Sequence, residues 1–102
     1  MQKILKLAKI FSDINRIKIF ALIMRYDELC VCEICDTLQL SQPLVSRCLK
    51  QMKEAGILQA TQKKQWIFYS FAKENNPVLE CFKNEISKNI LSLPKLIVCK
   101  RK

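Results

Sequence analysis

The feature that most narrows the fold is a change of hydrophobic period at Gly56, the only glycine in the chain. Before it, Val45, Leu49 and Met52 recur at steps of three and four, with Cys48 beside them, which predicts a helix from about Gln42 to Ala55. Ser41 is a good N-cap for that helix, and Pro43 falls in its first turn, where a missing N–H does no harm. Gly56 then stands where a left-handed residue ends a helix. After it the period becomes two. Leu58–Thr61 and Trp66–Phe71 read as strands joined by polar Gln62–Lys63–Lys64–Gln65, a β-hairpin with a basic tip. Ile67, Tyr69 and Phe71 should share one face of the hairpin, and Trp66, Phe68 and Ser70 the other. One glycine and three prolines are too few for an all-β fold, so the rest should be helical.

Helical spacing is found upstream as well. Ile4, Leu7, Ala8 and Phe11 predict an amphipathic helix over the first dozen residues. Ser12 or Asp13 can cap a second, with a stripe of Ile14, Ile17, Phe20, Ala21 and Met24. Arg16, Lys18 and Arg25 lie off that stripe, on what should be a solvated face. After a polar break at Tyr26–Asp27, a third helix is expected from about Glu28 to Leu38, and Gln39–Leu40–Ser41 links it to the fourth. Asn76–Pro77 reads as the cap and first turn of a last helix, carrying Leu79, Phe82, Ile86, Ile90 and Leu93 until Pro94 ends it. Residues 95–102 form a basic tail expected to be flexible. The expected architecture is mainly α with a small β-hairpin: one winged helix-turn-helix domain over residues 1–102. Apolar stripes on the first and last helices suggest a dimer paired through them.

Eighteen Lys and Arg against nine Asp and Glu give a formal charge of +9, which calls for a polyanionic partner, most simply double-stranded DNA. The outward face of the fourth helix offers Gln42, Ser46, Arg47 and Lys50, among them types that make bidentate contacts to base edges. Ser41 is placed for a phosphate, and Lys63, Lys64 and Gln65 at the wing tip suit backbone or minor-groove contact. No stretch approaches the roughly 20 apolar residues of a membrane span. Lysines interrupt the first apolar residues, and no cleavage site follows, so a secretion signal is not expected. The six cysteines are therefore read as those of a cytoplasmic protein, where clustering means metal binding or thiol chemistry rather than a disulfide scaffold.

Cys30, Cys32 and Cys35 form that cluster, C-x-C-x-x-C. Three thiolates with no histidine anywhere in the chain favour a soft ion, whereas zinc would need a fourth ligand. On a continuous helix, Cys32 and Cys35 are roughly 60° apart but Cys30 and Cys32 roughly 200°. One small ion could then meet all three only if the helix start unwound. Thiol oxidation, pairing Cys32 with Cys35 or Cys30, is the alternative input, and cadmium, bismuth or zinc are alternative ions. Cysteine-enzyme chemistry is disfavoured because no base is available and no strand is expected before the motif. Cys48, Cys81 and Cys99 read as filler or surface thiols, with Cys99 the one candidate for an auxiliary ligand.

ELCVCEIC (28–35) followed by SQPLVSRCLKQMKEAGIL (41–58) resembles the arsenical-resistance repressors of the ArsR/SmtB family, and SDINRIKIF (12–20) lies where that family carries its Arg-containing signature. The resemblance implies a homodimeric operator-binding repressor, not an enzyme. It implies that As(III) or Sb(III), bound by three thiolates in a pyramid at Cys30, Cys32 and Cys35, releases the DNA. This chain departs from the family pattern in three respects. Cys48 replaces a frequent histidine, the wing tip lacks the usual glycine, and the absence of histidine removes the family's nitrogen-rich zinc site on the last helix.

Overall fold

In a computed structural model, which describes residues 2–72 and 77–88, the elements run α1 (Gln2–Ile10), α2 (Ile14–Tyr26), β1 (Glu28–Cys30), α3 (Val31–Leu38), α4 (Gln42–Glu54), β2 (Leu58–Lys63), β3 (Trp66–Phe71) and α5 (Pro77–Ser87). The cap expected at Asn76, the helix residues Ile90, Leu93 and Pro94, the tail 95–102 and Cys99 lie outside the described residues. The winged helix-turn-helix is present: α3 and α4 joined by a short turn, with the β2–β3 hairpin after them.

Local chemistry sets the boundaries. Asp13 caps α2 by accepting from Asn15 N–H, and the Ser41 hydroxyl accepts from Leu44 N–H at the start of α4. At the end of α4, Gly56 takes φ 80°, and its N–H reaches the carbonyl of Lys53 while Ile57 N–H reaches that of Met52. That pair of bonds is a Schellman cap, and the buried side chains of Ile57 and Met52 supply its apolar contact.

The core surrounds α2. Ile19, Phe20, Ala21, Leu22 and Ile23 are all buried, so the middle of this helix is covered on every side. The one-sided stripe expected from its sequence is wrong at Ile14, which is 60% exposed. Five consecutive buried positions leave no polar face for a helical wheel to find. Phe11 meets Phe20 edge to face and stacks on Phe82 at 4.4 Å, tying α1 and α5 onto α2. The apolar residues Leu79, Phe82 and Ile86 of α5 therefore pack within this chain, and on α1 Leu5 is left as an exposed large apolar residue.

Two expectations about the sheet also change. Glu28–Cys30 is a strand, not the start of the third helix, and it pairs antiparallel with β3 to give the order β1-β3-β2. Leu29 and Cys30 are buried as they pair with Tyr69 and Phe68, and this long-range pairing overrides the local helical period. The hairpin strands extend to Lys63 and Trp66, so Lys64–Gln65 alone forms the loop. Lys64 takes φ 59°, the conformation for which a glycine would have been the easier residue.

Candidate metal centre and nucleic-acid interface

Because the strand ends at Cys30, this residue becomes the N-cap of α3, with extended φ −90° and ψ 164°. Its N–H donates to Glu33 Oε1 at 3.1 Å, and its sulfur accepts from Glu33 N–H, a reciprocal capping box with cysteine in the usual serine or threonine place. The same geometry turns Cys30 Sγ back over the first helical turn, to 3.3 Å from Cys32 Sγ. The expectation that Cys30 and Cys32 lie on opposite sides of one helix is thus overturned, since Cys30 is not on the helix. Cys32 and Cys35 remain three residues apart on α3, one turn of the same face.

The structure thus brings two of the three candidate ligands into contact and leaves Cys35 one turn away. Among the described residues, no group of three His, Cys, Asp or Glu is close enough to hold an ion as it stands. Cys30 and Cys35 are free thiols, as are Cys48 and Cys81, and Cys32 is disulfide-bonded. Neither Cys30 nor Cys35 is bonded to Cys32 in this structure. Burial pushes the Cys30 thiol above its ordinary value of 9.0, with the Glu33 carboxylate adding to the rise and the Glu33 N–H opposing it. Burial raises Cys35 too, and the neighbouring Asp36 adds to it. Both shifts favour the thiol over the thiolate, so an ion bound there would have to displace a proton from each.

Both ends of α3 are tied to elements expected to meet DNA. At its start, Cys30 pairs with Phe68 of the wing strand β3. Near its end, the Cys35 carbonyl accepts from both Gln39 N–H and Leu40 N–H, closing the turn that leads into α4. Gln39 takes the left-handed φ of 57° needed there.

On α4, Ser41, Gln42, Ser46, Arg47 and Lys50 are all exposed, whereas Val45, Cys48, Leu49 and Met52 are buried. Cys48, 1% exposed, is a core residue, and its thiol is raised chiefly by burial. Lys63, Lys64 and Gln65 are exposed at the wing, but Lys63 folds back to Glu28 Oε1 at 2.9 Å and lies over the Phe68 ring. Its charge is thus partly engaged, and it is the last residue of β2 rather than part of the loop.

Two further residues escape a reading of the sequence. Arg16, expected on a solvated face, is only 18% exposed at its side chain. It donates to the carbonyls of Ile10 at 2.8 Å and Lys9 at 2.9 Å, and to Gln51 Oε1 of α4 at 2.8 Å. It thereby caps α1 and braces the candidate recognition helix. Glu33 is fully buried. Its spacing, three residues after a helix cap, is the signal that could have found it, hidden because the cap is a cysteine.

A sequence profile described as "Bacterial regulatory protein, arsR family" matches residues 13–60, from the cap of α2 into β2. The chain is 47% identical over 66 residues to the arsenic resistance transcriptional regulator ArsR1 of Pseudomonas putida, covering 65% of this chain and 52% of that protein. It is 37% identical over 68 residues to an uncharacterized HTH-type transcriptional regulator, MJ1325, of Methanocaldococcus jannaschii, covering 67% of this chain and 76% of that one. The chain thus spans about half the length of the arsenic regulator it matches. Among solved structures, the transcriptional repressor PagR of Bacillus anthracis superposes with a TM-score of 0.69 at 28% identity, covering 82% of this chain and 93% of that chain.

Proposed function

The chain belongs to the arsR family of bacterial regulatory proteins, and from that premise we propose that it is a metalloid-responsive transcriptional repressor, binding operator DNA as a homodimer in the cytoplasm. Family members are regulators rather than enzymes, and no helix among the described residues is long and apolar enough to cross a membrane. In this reading Ser41, Gln42, Ser46, Arg47 and Lys50 meet the major groove, and Lys63, Lys64 and Gln65 the flanking backbone. Trivalent arsenic or antimony is the inducer, taken up by Cys30, Cys32 and Cys35.

The observation that carries the reading is the position of Cys30, with Sγ 3.3 Å from Cys32 Sγ at the junction of the wing sheet and α3. Two candidate donor sulfurs are adjacent, the Cys32 one held in a disulfide, and a third lies one turn on. A trivalent ion that takes three sulfurs and no fourth ligand suits this set better than zinc does. The ligand set needs the Cys32 bond reduced and all three thiols deprotonated. Closing the site draws Cys35 toward the pair, and its carbonyl holds the turn into α4. The same closure loads Cys30, which belongs to the wing sheet. The helix start need not unwind. A ligand shifts DNA affinity only through its differential affinity for the two states, and here the difference is the strain placed on that turn and on β1.

The disulfide at Cys32 favours one further reading, in which oxidation is the input and the Cys30 thiol beside it is the exchanging partner. Mobility shifts of the reduced protein on its operator, titrated separately with arsenite, cadmium, zinc and peroxide, separate the two. Release by arsenite at the lowest concentration supports the first. Release by peroxide alone supports the second.

A further inference from the structure

A capping box works with glutamine as well as glutamate, so what it asks of its third residue is an acceptor oxygen at the right reach. Glu33 supplies that oxygen with no exposure at all, placed between two candidate ligands on α3. Its Oε1 holds Cys30 N–H, and its own N–H holds Cys30 Sγ. Those two bonds fix both the backbone and the sulfur of a residue that stands at a strand end, where χ1 would otherwise sample its staggered wells. The fixed position is the one in which Cys30 Sγ lies 3.3 Å from Cys32 Sγ, the sulfur that is held in a disulfide here and is freed by reduction. On the proposal that this box is the sensor, we infer that Glu33 is its positioning residue: through the hydrogen bond to Cys30 N–H it presents Cys30 and Cys32 to a thiophilic ligand as a preformed pair.

Reach, not charge, does this work. Aspartate is one methylene shorter, so its oxygen falls short of the place from which Glu33 Oε1 holds Cys30 N–H at 3.1 Å. Glutamine keeps the oxygen at the same distance without the charge. Preorganised ligands bind more tightly because less is lost in ordering them, and outer-shell partners of metal ligands are commonly worth about 10–100-fold in affinity.

Phenylarsine oxide tests the pair directly, since its arsenic has room for two sulfurs. Two As–S bonds form, the arsenic–oxygen bond is lost, and the oxygen leaves as water with the two thiol protons, with no change of oxidation state. The parent is the full chain carrying Cys35→Ser, reduced with a phosphine, so that Cys30 and Cys32 are the pair in the box. Calorimetric titration should give Glu33→Gln an affinity within about twofold of the parent and Glu33→Asp one at least about tenfold weaker. In a Cys30→Ser background, which leaves Cys32 and Cys35, Glu33→Asp should change nothing, because its effect runs through Cys30. Equal affinities for the aspartate and glutamine variants overturn the inference. So does an equal loss in both backgrounds, which marks a merely structural carboxylate. If serine at all three positions leaves binding unchanged from the parent, the box is not a soft-ligand site, and both this inference and the proposed sensor fall.

Discussion

Arg16 is where the structure departs furthest from what its sequence position suggests, and alanine substitution measures the difference. Its Nε bond to the Ile10 carbonyl is partly buried, and such a bond to a charged group is worth about 1.5–3 kcal/mol. The bonds to Lys9 and Gln51 are exposed, so each adds less, and the 3.8 Å approach to Asp13 adds little. Arg16→Ala should therefore cost about 2–4 kcal/mol, after discounting the exposed bonds. At about 4–8 °C per kcal/mol for a domain of this size, the melting temperature should fall by roughly 8–32 °C. Arg16→Lys should recover little, because one ammonium cannot span three acceptors on two helices. Urea unfolding followed by circular dichroism gives the free energy and thermal melts the temperature. A loss under about 0.5 kcal/mol, the ordinary surface value, would refute the reasoning and return Arg16 to a solvated face.

Other outcomes follow from the same structure. Gly56→Ala, which places a Cβ at φ 80°, should cost about 1–2 kcal/mol in urea unfolding. Arg47→Ala should weaken operator binding by about 1–3 kcal/mol if it reads a base, whereas Lys64→Ala should weaken all duplexes alike and lower the salt slope by about one, both measured by fluorescence anisotropy. Cys48 is raised above 9.0 in the folded chain, so the stability tied to its protonated form is complete below that value and lost as pH rises through the folded one. Urea midpoints should then decline above pH 9.0 less steeply for Cys48→Ala than for the wild type. Leu5→Asp should lower the dimer fraction in sedimentation while leaving the fold intact, whereas aspartate at Phe82 should unfold the chain through its contact with Phe11.

Elements fixed by local chemistry are legible in the sequence itself. Asp13, Ser41 and Gly56 each end or begin a helix through bonds to neighbours a few residues away, so the helix-turn-helix and the hairpin after it can be read from the chain. β1 cannot. ELCVCEIC fits a helical period throughout, and only pairing with Tyr69 and Phe68, some forty residues on, makes its first three residues a strand. The consequence reaches the site, because the relative placement of Cys30 and Cys32 depends on where the helix starts. Arg16 and Lys63 escape for a related reason. A basic residue off an apolar stripe looks solvated until the acceptors that converge on it, two α1 carbonyls for one and Glu28 for the other, are brought there by the fold.

The central claim is that Cys30, Cys32 and Cys35 act together as a thiophilic switch on DNA binding. It is tested most directly by the arsenite concentration at which reduced protein leaves a fluorescent operator duplex, compared between wild type and Cys30→Ser. The serine variant should bind the duplex about as well, since a serine hydroxyl caps a helix at least as well as a thiol, yet stay bound at arsenite concentrations that fully release the wild type. Release of both proteins at the same concentration would contradict the claim.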